Sequence, residues 1–247
     1  MLLLEVMEII SVHGIVVSNT PYKENSKIIN IFTKEKGIIG CISKGCKSLK
    51  SKLRLPSEKF AYGTFHLYYK ENGLSTLIDG DITDYFFNIK NDLLKISYLT
   101  YICELSVSAY KESMSDEIFP LMESSILKIE EGYNSKIITN ILELQYLNYL
   151  GINLDLDDCV VCGNSKVVTL SLSKGGYVCA KHRTNEPIIS EKVMKLLRLY
   201  YYVDISKISN LDIDENISNE ISRIIDLYYD EYSGIYIKSK KMLKDLE

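Results

Sequence analysis

The sequence has no apolar run approaching the roughly 20 residues that a membrane-spanning helix requires. Its opening, Met1-Leu2-Leu3-Leu4-Glu5-Val6, is too short and lacks the basic flank of a secretory signal. The patterned sequence starts just after Met7, which makes Met7 a candidate native start beside Met1. No G-x-x-x-x-G-K-[ST] phosphate cradle and no G-x-S-x-G elbow occur. Histidine is scarce at three residues, and His13 and His66 stand alone in strand-like stretches, where core or surface roles suffice. Asp212, Asp214 and Asn216 imitate the start of a calcium loop. Its sixth position is Ile217 instead of Gly and its twelfth is Arg223 instead of Glu, so the motif fails. Internal repeats and low-complexity linkers are absent. Together these absences leave little room for an enzyme, and none is expected.

Positive charge is also in short supply, with 29 Lys and Arg against 33 Asp and Glu and a net charge of −4. Its distribution is uneven. Between Lys34 and Lys59 stand eight basic residues and only two acidic ones, so that segment carries +6 and the remainder −10. Such asymmetry speaks for a polyanion partner more strongly than net charge speaks against one. An apolar share of 46% over 247 residues is that of a globular protein of one to three domains.

Four residues carry the most specific signal. Cys159 and Cys162, then sixteen residues, then Cys179 and His182 form two ligand pairs, each with a two-residue gap. That spacing suits a tetrahedral zinc ion, each pair sitting on a tight turn. Gly175-Gly176 can turn a hairpin that returns the second pair to the first. With all four positions filled by protein the zinc is structural, because a catalytic zinc keeps one position for water. A Cys159–Cys162 disulfide would need an oxidising compartment, and a redox-active C-x-x-C would need a surrounding βαβ pattern that is missing. Cys41, Cys46 and Cys103 read as free thiols of a reducing cytosol. Asp155, Asp157 and Asp158, just before the first pair, are expected in loop and capping roles.

Residues 9–81 read as five short strands: Ile9–Val17, ended by Asn19-Thr20-Pro21, then Ile28–Thr33, Ile38–Ser43, Phe60–Tyr69 and Leu74–Ile78, the last two joined through Asn72-Gly73. Five short strands without a long helix predict a small closed barrel. From Asp84 the period becomes helical. Helices are expected over 91–111, 116–131, 135–150, 190–202 and 216–232. Two apolar stripes make the third of these central and buried, with Ser135 capping its start and Gly151 ending it. The tail from Ile235 is expected to be exposed and charged. Lys192, Lys195 and Arg198, on one helix, read as a solvated face, with an acidic peptide tail as the lesser possibility.

The segment Ser43–Arg54 is expected to be a flexible cationic loop on the barrel. Neutralising phosphates releases counterions, so such a loop binds nucleic acid irrespective of sequence. Lys34, Lys36, Lys44, Lys47, Lys50, Lys52 and Arg54 are the expected phosphate contacts. Phe32 or Tyr68 could stack on bases, or equally serve as core. The chain here resembles the RecO family of recombination-mediator proteins. The resemblance rests on His13–Val17, Lys27–Thr33, Ser43-Lys44-Gly45, Lys52-Leu53-Arg54, Phe60–Tyr69 and Asp92–Glu104, together with the order of barrel, helical domain and zinc element. Zinc-bearing members of that family commonly use four cysteines; here the fourth position is His182.

The reading is therefore an α+β multidomain protein. An N-terminal five-stranded OB-type β-barrel over 7–82 is followed by an α-helical domain over 83–247 with an inserted zinc-finger-like element over 156–183. The resemblance implies binding of single- and double-stranded DNA and annealing of complementary strands. It also implies partnership with RecR and the single-stranded DNA-binding protein, indirect help in loading RecA, and a cytoplasmic, nucleoid-associated location. The alternative is a zinc-containing adaptor whose basic segment binds an acidic partner.

Overall fold

The computed structural model describes residues 8–84 and 86–246; the candidate start at Met7 lies outside them. The chain divides into two compact units between Leu93 and Leu94.

The first unit is a closed barrel of five strands in the order β1-β2-β3-β5-β4, the OB-type arrangement. The strands are β1 (Glu8–Tyr22), β2 (Ser26–Thr33), β3 (Gly37–Ser43), β4 (Tyr62–Tyr69) and β5 (Ser75–Asp84). β4 returns to pair with the first half of β1, and β3 pairs with β5 in parallel, so the sheet has no open edge there. Strict alternation along β3 turns Gly37, Ile39, Cys41 and Ser43 inward. Val12, Val16, Ile29, Ile31, Ile39, Phe65, Leu67 and Leu77 fill the interior. Each such side chain contributes about 1.5–3 kcal/mol on burial.

β1 does not stop at Asn19-Thr20-Pro21 as expected; Pro21 pairs with Lys27 inside the strand. Beyond Ile15, β1 has β2 as its sole partner strand, so the missing proline N–H falls where no ladder needs it.

The second unit follows a four-residue helix α1 (Phe87–Lys90) and consists mainly of α2 (Leu93–Ser113), α3 (Ile118–Glu130), α4 (Ser135–Tyr149), α5 (Glu191–Tyr202), α6 (Glu215–Tyr228) and α7 (Lys238–Lys244). The hairpin β6 (Val167–Ser171) and β7 (Gly176–Cys179) is inserted between α4 and α5. α4 is the buried centre and packs against α3, α5 and α6. Its first N–H groups are capped by the side chain of Asn134, not by Ser135. Ser135 already has helical backbone, whereas Asn134 keeps the extended conformation that a cap requires. At the other end Gly151 adopts φ +76° and Ile152 N–H reaches back to Leu147 O, a Schellman closure. Gln145, buried on α4, donates to Tyr200 O and Val203 O at 2.8 Å each and satisfies the carbonyl end of α5.

The tail from Ile235 is largely exposed, as expected, but it is also anchored to the helices. Ser239 N and Oγ donate to Glu104 on α2, and Lys240 Nζ reaches Glu143 on α4 and Asp226 on α6. Charge in the sequence pattern concealed a lysine recruited by one buried and one half-buried carboxylate. Among the described residues no helix is long and apolar enough to cross a membrane.

Candidate metal centre and nucleic-acid interface

Cys159, Cys162, Cys179 and His182 converge. One ligand atom from each lies within 4.8 Å of the others. Both pairs adopt the same turn. Cys162 N and Gly163 N bond to Cys159 O at 3.1 and 2.8 Å; His182 N and Arg183 N bond to Cys179 O at 3.0 Å each. Gly163 takes φ +67° so that the first turn can close.

The separations fit a tetrahedral ion. Zinc–sulfur bonds of about 2.3 Å and zinc–nitrogen bonds of about 2.0–2.1 Å place sulfurs about 3.8 Å apart and sulfur and nitrogen about 3.5 Å apart. Cys162 Sγ and Cys179 Sγ are 3.9 Å apart, and His182 Nδ1 is 3.6 Å from Cys159 Sγ and 3.4 Å from Cys179 Sγ. None of the six cysteines is joined in a disulfide. The residues present therefore can hold one metal ion with no open position.

The thiols are electrostatically unequal. Burial pushes the Cys159 thiol up, but hydrogen bonds involving the backbones of Cys179, Val161 and Cys162, and His182, outweigh it and hold the group at about 6. A backbone bond from Asn164 lowers Cys162, yet desolvation and the neighbouring Cys159 and Cys179 sulfurs leave it raised. Three thiolates at one point repel one another, and a cation removes that conflict while releasing protons.

A third chain segment supports the hairpin. Asp155 N bonds to Gly175 O at 3.0 Å and Tyr177 N to Asp155 O at 2.9 Å. Gly176 is required there, because a Cβ would stand 2.3 Å from Asp155 O and 2.5 Å from Val160 Cγ1. Asp155 and Asp157 take loop roles, the latter accepting Arg198 Nε at 2.6 Å. Lys195 pairs with Glu191, so two of the three basic residues on α5 are already engaged. Asp214 of the failed calcium pattern caps α6.

The basic segment between β3 and β4 is pinned, not flexible. Cys46 and Pro56 are buried anchors, and 3–4-residue turns follow one another from Gly45 to Glu58. Its cations divide into two kinds. Lys47 Nζ donates to Lys23 O and Glu24 O at 3.3 and 3.2 Å and braces the β1–β2 turn. Lys52 pairs with Asp79 at 2.7 Å. Lys44, Lys50 and Arg54 are exposed and form no ion pair among the described residues. Lys34 and Lys36 lie apart from this group. They occupy the β2–β3 turn, and the seven-residue β3 separates them from Lys44 by about 23 Å at 3.3 Å per residue.

Phe32 is fully buried, although it lies on the face of β2 opposite the barrel-filling Ile29 and Ile31, and cannot stack on a base; Tyr68 on the outer face is 40% exposed. Lys23, exposed beside Lys47 with its ammonium over the Tyr22 ring, joins the basic surface unforeseen. Flanked by Glu24, it gave no charge-run signal; only the usual binding role of the first OB loop could have pointed to it.

A five-stranded OB-type barrel bearing a braced cationic loop, followed by a helical unit with a Cys3His cluster, defines a two-unit protein with a basic barrel and a metal-binding module. The pattern described as "Recombination protein O N terminal" matches residues 7–86, and "Recombination protein O C terminal" matches 90–241. A protein of Listeria monocytogenes serotype 4a (strain HCC23) called DNA repair protein RecO is 35% identical over 241 residues, covering 95% of this chain and 93% of the relative. Proteins of the same name from Bacillus pumilus (strain SAFR-032) and Halalkalibacterium halodurans are each 34% identical, over 244 and 239 residues, covering 97% and 95% of this chain and 95% and 94% of theirs. The chain belongs to the RecO family of DNA repair proteins.

Proposed function

We propose that this chain is a recombination mediator. It binds single- and double-stranded DNA, anneals complementary strands and, with RecR, helps load RecA on DNA coated by the single-stranded DNA-binding protein. Family membership supports the repair role. The observation that carries the DNA-binding part is the set of exposed cations without ion pairs, Lys44, Lys50 and Arg54, on a pinned loop of an OB-type barrel in an acidic chain.

The mechanism needs no covalent step. Lys44, Lys50 and Arg54, with Lys23 beside them, neutralise phosphates of two strands and lower their mutual repulsion. Because the loop is held by Cys46, Pro56 and Lys47, little conformational entropy is lost on binding. Lys52 joins by exchanging Asp79 for a phosphate. The ion at Cys159, Cys162, Cys179 and His182 is a single structural zinc. It staples a hairpin whose own buried cluster is small, comprising Cys159, Val178 and Cys179 with Val160 and Val167. The site of action is the cytoplasmic nucleoid.

The test is annealing of complementary oligonucleotides precoated with the cognate single-stranded DNA-binding protein, with zinc measured on the same sample. Acceleration without nucleotide and without cleavage is expected. No acceleration by zinc-loaded chain would contradict the proposal and favour the adaptor that binds an acidic partner.

A further inference from the structure

His182 follows a cysteine knuckle in the position where a fourth cysteine would be equally at home. Its Nδ1, not the more distant Nε2, faces the sulfurs of Cys159 and Cys179. An Nδ1 ligand lies close to its own backbone, so small backbone displacements move it off the tetrahedron. The backbone here is gripped from two sides. Lys174, in the β6–β7 turn, donates from Nζ to His182 O at 2.7 Å. On the other side, the segment leaving the knuckle is folded back by Glu186. Its Oε2 accepts Thr184 N and Thr184 Oγ1 at 2.8 Å each, and its Oε1 accepts Ser171 Oγ from β6. Arg183 Nη1 closes the same segment by donating to Glu186 O at 2.9 Å.

We propose that Lys174 and Glu186 are positioning residues for the metal centre: together they clamp the His182 backbone so that Nδ1 completes the Cys159, Cys162, Cys179 tetrahedron. This rests on the zinc reading above. The clamp belongs to the hairpin and the loop after it, outside the C-x-x-C and C-x-x-H pairs. Outer groups that orient a ligand in this way typically govern metal affinity by 10- to 100-fold. The Glu186 carboxylate is suited to the task because it is ionised at any physiological pH. Its bond from Ser171, with further help from the backbone and Thr184, lowers it to about 2.

The experiment uses the full chain and Zn2+ itself, titrated in competition with a chromophoric chelator. Cobalt substitution reports the ligand set through its visible spectrum. Lys174→Met and Glu186→Gln are each expected to weaken zinc binding 10- to 100-fold, with one ion per chain and an unchanged tetrahedral cobalt spectrum. Lys174→Arg, which keeps a donor for His182 O, is expected to recover most of the affinity. The melting temperature of the metal-free chain separates positioning from general destabilisation and should not move. Variants within about twofold of the parent affinity would overturn the clamp and leave the zinc site standing. So would losses that merely follow a drop in the metal-free melting temperature. A parent chain that takes up no zinc would overturn both readings.

Discussion

Lys240 Nζ lies 2.8 Å from Oε1 of Glu143, joining the C-terminal helix to the most buried helix of the second unit. The same ammonium contacts Asp226 at 2.6 Å and sits over the rings of Tyr101 and Tyr229, 5.5 and 5.1 Å from their centroids. Tyr101 donates to Glu143 as well. Glu143 is 4% exposed, so its charge has little water to fall back on if the lysine is lost. Removing one member of a buried pair costs more than the pair contributes, because the survivor remains desolvated. Lys240→Met is therefore expected to destabilise the helical unit by about 3–5 kcal/mol. Denaturant unfolding followed by helical circular dichroism checks this, and a loss below about 1 kcal/mol would contradict it.

The same network sets a pH dependence. Burial raises the Asp226 carboxyl, but Lys240 and Lys244 more than compensate and leave it below the usual carboxylate range. A carboxylate lowered on folding adds stability above its unfolded value of about 3.9, and that stability is lost as pH falls through the folded value. Asp226→Asn should remove this contribution at neutral pH and flatten the stability profile on the acid side. Melting temperatures of parent and variant between pH 2 and 7 would converge at the acid end; parallel profiles would refute the assignment.

Gly176 offers a test of the hairpin that leaves the metal ligands untouched. Gly176→Ala places a methyl against Asp155 O and Val160 Cγ1 at distances that no real contact tolerates. Overpacking of this kind costs about 1–3 kcal/mol. Zinc retention during dialysis against a weak chelator is expected to fall. Retention equal to that of the parent would show that the Asp155 backbone yields easily.

Chelation of the metal should act locally. The module's buried cluster has only three members, so the ion contributes much of its stability. Amide exchange should accelerate across residues 155–183 and stay unchanged in β1–β5, whose core is independent of the site. Acceleration throughout the barrel would contradict the separation into two units.

Much of this architecture was legible because period and spacing are local properties. The alternation of β3 and the two stripes of α4 follow directly from side-chain geometry, and the C-x-x-C and C-x-x-H pairs fix their own turns. What escaped depends on tertiary partners. Pro21 stays in β1 because β4 has already left that edge. Phe32 looked available for stacking, and its parity in β2 does turn it away from Ile29 and Ile31, yet that face too is covered there and leaves it fully buried. Lys34 and Lys36 were grouped with Lys44–Arg54 by proximity in sequence, whereas a strand carries them a full barrel edge away. Lys47 and Lys52 count as charges in the sequence yet act partly as a brace and an ion pair. Lys240 reads as surface until Glu143 and Asp226 are placed beside it.

The most direct test of the central claim is the salt dependence of single-stranded DNA binding by the parent chain and by a Lys44→Gln, Lys50→Gln, Arg54→Gln triple variant. Each phosphate contact adds about 0.7 to the slope of log affinity against log salt on single strands. The account predicts that the triple variant binds more weakly and that its slope falls by about 2. An unchanged affinity and slope would mean that the loop after β3 does not hold DNA.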